Sequence, residues 1–401
     1  MLYNLSSEMK MTIQDVLQKS IIFILGIALG YISWDFSMEA SLFSVYTLFA
    51  YLLIDKRMTL GLLLAGYYLT STRGMIQNVT YFYDNSFVAV LLWILPNILL
   101  VAVWVLVWHK KYTVRLILFL PMLTILSLPP IGYISGANPI VIAGIFFEGY
   151  KFLGIFMYLI IIMLLSVPLY YLFPNKKVVW GGLFVVILII LGVYKPSIID
   201  DDKEFYALNT KYSYTPDAKQ FEKHRRNKEF LSVIHKLPYE KIVLYENALG
   251  DFAESDMNLL RNIDHNKTLY AGANIYDRDK IRNDNVLLKI NTQGYKILYK
   301  QRVPVPIEMW RPFMDERTRA YIFDNPVVED DGERMAVFIC YEMFISYTYL
   351  HSMLYDPTVL IGISNLWWSR DRDDTFMFMQ RNTIHLWALL MGVPFYYSYN
   401  R

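Results

Sequence analysis

Cysteine is nearly missing from this chain: Cys340 is the single one among 401 residues. No disulfide can form within the chain, and a cysteine-rich metal site is excluded. A lone cysteine is usually a small buried hydrophobe, so Cys340 gains interest only from its surroundings. Charge is scarce in the first half. Of the 38 Lys and Arg, twelve lie before residue 200, and eight acidic residues lie up to that point. There is no basic patch of the kind that reads nucleic acid, so that class of partner is set aside. No internal repeat or low-complexity tract is present.

What fills the first half instead is apolar sequence. A bilayer core of about 30 Å takes about 20 mostly apolar residues per helix. The pattern predicts about seven spans within residues 1–196: Ser20 to Trp34, Ser41 to Ile54, Leu60 to Thr70, Phe87 to Trp108, Arg115 to Ile134, Phe152 to Leu172, and Val178 to Tyr194. Seven such runs in succession are hard to bury without lipid. They continue far past the first, unlike a cleaved signal peptide. The stretch from Pro139 to the sixth span carries Glu148 and Lys151 and reads as an interfacial or re-entrant approach.

Basic residues alternate between the connecting loops. Lys10 and Lys19 precede the first span. Lys56 and Arg57, then Lys110, Lys111 and Arg115, then Lys176 and Lys177 occupy every second loop. The intervening loops hold only Arg73. Positive charge favours the cytoplasmic side. The expectation is an N-terminus inside and residues 197–401 outside. In a bacterium this is a multi-pass inner-membrane protein with an extracytoplasmic domain.

From about Asp200 the pattern becomes that of a water-exposed α/β domain. Pro216 and Asp217 open a charged helix. Lys241 to Tyr245, Thr268 to Tyr276, Arg334 to Ile339, Pro357 to Ser364 and Val393 to Tyr399 read as strands. VLLKI and YKILYK flank NTQG, a hairpin signal. Asp374 to Met391 has helical spacing and stops at Gly392.

Three polar residues follow directly on apolar strands: Glu246 after KIVLY, Lys300 after YKILY, and Cys340 after RMAVFI. Reacting groups in α/β sheets collect at the carboxyl ends of strands. A thiol between a strand and a helical turn lies near backbone N–H groups, which favour thiolate and can hold an oxyanion. A carboxylate can take the thiol proton, and a lysine can face developing negative charge. These are the parts of acyl transfer through a thioester; spacing alone does not bring the three together.

The segment VFICYEMF (Val337 to Phe344) resembles the nucleophile segment of the nitrilase superfamily, and its Cys-Tyr-Glu run looks most like that of the apolipoprotein N-acyltransferases, the membrane branch. YKQRVPVPIE (Tyr299 to Glu308) resembles the family's lysine segment, with Lys300 at the lysine and Glu308 at the second glutamate. YENAL (Tyr245 to Leu249) is similar to the segment of the general base, with Glu246 in that role. ISNLWW (Ile363 to Trp368) and the helix ending MGVP resemble two further segments. The family's last hairpin and further membrane helix have no counterpart before Arg401, and this layout resembles the shorter conjugal-transfer branch of TraB type.

The resemblance implies a multi-span α-helical membrane domain (1–196) followed by a nitrilase-like αββα sandwich (197–401). It implies Glu246, Lys300 and Cys340 as the catalytic set, with Glu308, Tyr341, Glu342 and Asn365 in support. Trp310, Trp367 and Trp368 would line an apolar mouth. The expected reaction takes an acyl group from phospholipid to Cys340 and then to an amine such as a lipoprotein N-terminus, without metal or organic cofactor. A nitrilase-like amidase and a conjugal-transfer membrane protein with weak or no acyltransferase activity are the alternatives.

Overall fold

A computed structural model describes residues 7–83, 85–173, 176–194, 204–212, 220–277, 282–311, 317–367 and 375–401. The chain forms two compact units. One comprises residues 1–147 and 153–196, the other residues 148–152 and 197–401.

The first unit is helical: α1 (Ser7–Asp35), α2 (Val45–Leu53), α3 (Arg57–Ser71), α4 (Gly74–Tyr83), α5 (Ser86–Val107), α6 (Tyr112–Ser127), α7 (Ala143–Phe146), α8 (Lys151–Tyr171) and α9 (Lys176–Val193). Among the described residues, three helices are long and apolar enough to cross a membrane: Ile13–Asp35, Ser86–Val107 and Lys151–Tyr171. They turn large apolar side chains outward, among them Leu25, Leu106 and Leu164. Shorter apolar helices of 10–17 residues lie at three more of the seven expected spans: Glu39–Leu53, Tyr112–Ser127 and Val178–Val193. The second expected span breaks into a 3₁₀ turn (Glu39–Ser44) and the nine-residue α2. The fifth stops at Ser127, and α4 fills a loop with a helix that the hydropathy pattern did not reveal.

Close helix approach in this unit depends on a small residue. A Cβ on Gly66 would stand 2.4 Å from the carbonyl oxygen of Phe23, so α3 meets α1 backbone to backbone. Several of its buried polar groups are paired across helices. Trp34 donates to the Tyr67 hydroxyl (2.9 Å), and that hydroxyl donates to the Ala137 carbonyl (2.8 Å). Asn97 in α5 bonds Thr72 (2.9 Å). The two central basic loops lie together: Arg57 donates to the Trp108 carbonyl (2.9 Å), Trp108 donates to the Ile54 carbonyl (3.2 Å), and the buried Arg115 also bonds Ile54. Arg73 is instead paired with Asp35 at 2.5 Å.

The second unit has four layers. Its elements are β1 (Phe205–Ala207), α10 (Gln220–Ile234), β2 (Lys241–Val243), α11 (Met257–Leu260), β3 (Thr268–Tyr276), β4 (Arg282–Asn291), β5 (Gly294–Lys300), β6 (Arg317–Thr318), β7 (Val327–Asp330), β8 (Glu333–Ile339), α12 (Ser346–Met353), β9 (Val359–Asn365), α13 (Thr375–Met391) and β10 (Phe395–Asn400). The first sheet runs β1-β2-β3-β4-β5, with β6 added to β4; the second runs β10-β9-β8-β7. Val243, Tyr270, Leu287 and Tyr299 of the first sheet meet Val337, Ile339, Ile361 and Tyr396 of the second in one buried core. The outer face of the first sheet packs on Phe230, Leu231, Ile234 and Leu260 of α10 and α11. Phe338 stacks on Tyr349 of α12 (4.2 Å), which stacks on Trp387 of α13 (5.2 Å). Each buried aromatic or aliphatic side chain here contributes about 1.5–3 kcal/mol. The result is an αββα sandwich.

The expected strands, hairpin and terminal helix are all present, with ends displaced by a residue or two. The helix start expected at Pro216 and Asp217 lies outside the described residues. Residues 148–152 join the second unit: the Gly149 N–H donates to the Leu389 carbonyl (2.9 Å), and Lys151 pairs with Asp356.

Candidate active site

Cys340 ends β8 and begins a 3₁₀ turn, Cys340–Phe344. Its φ is 52°, in the left-handed region. A non-glycine residue there is held against a cost of about 1–3 kcal/mol, a pattern that clusters at functional sites. The strain is fixed from two sides. β8 is buried between neighbours on both edges. The Cys340 carbonyl accepts from Gln380 Nε2 of α13 (3.0 Å), and Gln380 Oε1 accepts from the Tyr397 hydroxyl (2.7 Å).

Glu246 follows β2 and is buried. A Cβ at Gly272 of β3 would stand 2.6 Å from Glu246 Cα, so only glycine lets β3 pass this closely behind the carboxylate. Asn247, next in sequence, is itself at φ 58°. The carboxylate is held at both oxygens: Oε1 accepts from Asn285 Nδ2 (2.8 Å) and Oε2 from the Asn365 backbone N–H (3.1 Å). It lies close enough to the Cys340 thiol for each group to shift the other. Burial raises the Glu246 pKa, opposed by Asn285, the nearby Cys340 thiol and the Asn365 backbone. Burial and the facing Glu246 charge hold the thiol well above its ordinary range, opposed by the nearby Ser364 hydroxyl. The pair can ionise by moving the thiol proton to the Glu246 carboxylate.

Glu308 approaches the same sulfur closely enough for its charge to raise the thiol further. Burial pushes the Glu308 pKa up to about 7, against the pull of Arg317. Its Oε2 is buried with no hydrogen-bond partner among the described residues, and Ile307 before it has φ 71°. Glu342 has a different task. Its carboxylate accepts from the backbone N–H of Ile339 (2.7 Å), Arg302 (2.6 Å) and Val303 (3.0 Å), and from the Tyr299 hydroxyl (2.9 Å). It ties the end of β8 to the end of β5. Asn365 is fixed in turn by Asn400, whose Nδ2 donates to its Oδ1 (3.0 Å). Tyr341 is partly exposed and stands edge-on to Phe344 at 6.3 Å. Trp310 is partly buried, and its N–H donates to the Val305 carbonyl (3.1 Å). Trp367 is partly buried, and Trp368 lies outside the described residues.

Lys300 is a correction. Its ammonium pairs with Asp284 Oδ2 (2.8 Å) and the Tyr321 hydroxyl (3.2 Å) instead of facing the sulfur. The reason is a β-bulge. Leu287 of β4 pairs with Tyr299, but Leu288 pairs with Ile297, so Leu298 is an extra residue. One inserted residue reverses the face of those that follow. Lys300 thus stands opposite Val286, on the helix-packed side of the sheet, and Gln301 stands opposite Asn285, on the inner side.

Sequence reasoning missed Asn285, Gln301, Ser364 and Gln380. Gln380 carried a signal: it sits one residue from Met379 and three from Thr383, on the apolar stripe of α13, where a buried amide needs partners. Asn285 carried a weaker one, as a polar residue at the start of an apolar strand.

No family model matches the chain. It is 28% identical, over 96% of its length, to the conjugal transfer protein TraB of Agrobacterium fabrum, of which 94% is covered. It is 26% identical, again over 96% of its length, to the probable conjugal transfer protein TraB of Sinorhizobium fredii, of which 99% is covered. Solved structures with similarity include an amidase of the nitrilase superfamily from Nesterenkonia (10% identity, TM-score 0.35, 48% of this chain and 74% of that one). Another is Nit3 of Saccharomyces cerevisiae, also of that superfamily (15% identity, TM-score 0.29, 39% of this chain and 63% of that one). Over nearly all its length, the chain is similar to these conjugal transfer proteins of TraB type.

Proposed function

We propose that this chain is a membrane-anchored thiol acyltransferase that works in conjugal transfer, with Glu246 as general base and Cys340 as nucleophile. The observation that carries the reading is Cys340 itself: a strained left-handed cysteine at a strand end, beside a buried carboxyl group. The Cys340 proton moves to Glu246, and sulfur attacks an ester carbonyl of phospholipid. The ester C–O bond breaks, Glu246 returns the proton to the departing lysophospholipid oxygen, and an S-acyl enzyme remains. An amine then attacks the thioester, its proton passes through Glu246, and the thiol is restored. Backbone N–H groups at the start of the Cys340 turn serve the oxyanion. Lys300, committed to Asp284, does not.

The helical unit provides the anchor. The meeting of the Lys56–Arg57 loop with the Lys110–Arg115 loop supports a cytoplasmic assignment for that end, which leaves the catalytic unit extracytoplasmic.

A second reading, a conjugal-transfer membrane component without acyl chemistry, is favoured by the turn of Lys300 away from the sulfur. Vesicles of a single phospholipid with isotope-labelled acyl chains separate the two. An acyl increment in the intact mass of the full-length protein, absent from Cys340→Ala, supports the enzyme. An unchanged mass with hydrolysis of soluble amides selects an amidase, and an unchanged mass with neither activity selects the non-catalytic component.

A further inference from the structure

Gln301 and Asn285 are 1% and 2% exposed, face the inner side of the first sheet, and stand beside the general base. Gln301 Nε2 donates to the carbonyl of Ile339, the residue before the nucleophile (2.9 Å). Its Oε1 accepts from Asn285 Nδ2 (3.1 Å), and the same amide group donates to Glu246 Oε1 (2.8 Å). The Gln301 backbone N–H also donates to the Asn285 carbonyl (2.8 Å), which locks the two residues in register.

This chain of bonds has only one polarity. The Ile339 carbonyl can accept but not donate, so it selects the NH₂ end of Gln301. The oxygen end of Gln301 then faces Asn285 and selects its NH₂ end. Asn285 has two hydrogens; one goes to Gln301 and the other to Glu246. The carboxyl group therefore always meets a donor at Oε1. A donor stabilises the ionised form, which opposes the burial that favours the neutral one. An amide does so without adding charge beside the sulfur.

We infer that Asn285 and Gln301 form a two-amide relay from the Ile339 backbone to Glu246 that positions this carboxylate and keeps it ionisable as the base for Cys340. The relay rests on the role proposed for Glu246 but not on any acyl donor. The bulge at Leu298 creates it, because regular pairing of Leu298 with Leu287 would put Lys300 in the place of Gln301.

The lone cysteine makes the test direct. Iodoacetamide alkylation of the full-length protein in detergent micelles reports on Cys340 alone, and its rate is followed against pH. Asn285→Leu moves the acid limb of the profile to higher pH by about one pH unit, because the carboxylate loses a donor. Gln301→Leu moves it the same way by less. Gln301→Lys moves it to lower pH, because a cation then faces Glu246 and the thiol. Lys300→Met leaves it in place. Unmoved limbs in both Asn285→Leu and Gln301→Lys, in proteins that melt with the wild type, overturn the relay, as does an equal shift in Lys300→Met. Should Asn285→Leu fail to fold, the direction of the Gln301→Lys shift decides. Shifts without lipid acylation defeat the proposed reaction and leave the relay standing; acylation without shifts does the reverse.

Discussion

Three residues beside the thiol, Glu246, Glu308 and Glu342, are carboxylic acids, and each environment gives its group different work. Glu342 is satisfied by backbone donors and a tyrosine and sits 3.9 Å from the fully buried Arg302. Its loss leaves that guanidinium with its charge uncompensated. Glu342→Ala is expected to cost about 3–5 kcal/mol, read as a fall in Tm, and to abolish thiol reactivity only as far as it unfolds the protein. Glu308 is nearly the opposite case: buried, one oxygen unpartnered, and titrating at about 7 against an ordinary 4.5. A folded-state pKa above the unfolded one means that the folded form holds the extra proton. Stability from Glu308 is present in full below pH 4.5 and declines as pH rises through 7. Glu308→Gln is therefore expected to melt with the wild type at pH 4 and above it at pH 8. Equal melting temperatures at pH 8 contradict this account of the carboxyl group. The site residues were partly legible in sequence. A polar residue directly after an apolar strand marked Glu246 and Cys340, since strand ends are where buried backbone opens to a cleft. Asn285 and Gln301 gave little sign, because two amides that satisfy each other across a strand pair leave no spacing pattern.

At the scale of elements, the misplacement of Lys300 shows what periodicity omits. Strand alternation has a period of two, and a bulge changes its phase without any change in composition. YKILYK reads as a regular strand, and nothing in it announces that Leu298 is the extra residue. Deleting Leu298 is expected to remove the bulge while Lys300 stays opposite Val286 and Gln301 opposite Asn285, so the acid limb of Cys340 alkylation keeps its wild-type position. A deletion protein that folds with this limb moved to lower pH, in the direction of Gln301→Lys, counts against the register. In the helical unit, α4 escaped notice because its polar residues Gln77, Asn78 and Thr80 lower the hydropathy of a segment that is still helical. The contact of α3 with α1 depends on Gly66, and Gly66→Val would place side-chain carbon against the Phe23 carbonyl. Loss of about 2 kcal/mol or more is expected, read as lower thermal stability in micelles, with no shift in the alkylation profile of whatever fraction remains folded.

For the whole molecule, the division into an apolar helical unit and a four-layer α/β unit was evident in the sequence, because twelve basic residues before position 200 against 26 after it is a difference no single domain shows. The sandwich order was not, since nothing in local pattern says which strands face each other across the inner core. The alternation of basic loops predicts that a periplasmic-type reporter fused after Tyr194 is active and a cytoplasmic-type reporter at the same point is silent; the reverse result overturns the orientation. The central claim is that Cys340, with Glu246, carries an acyl group. It is tested most directly by peptide mass mapping after incubation with labelled phospholipid vesicles. The account predicts the label on the peptide containing Cys340, removed by hydroxylamine as a thioester is, and absent from Cys340→Ala and Glu246→Gln. Label on any other residue, or an unlabelled Cys340 peptide from folded wild-type protein, contradicts it.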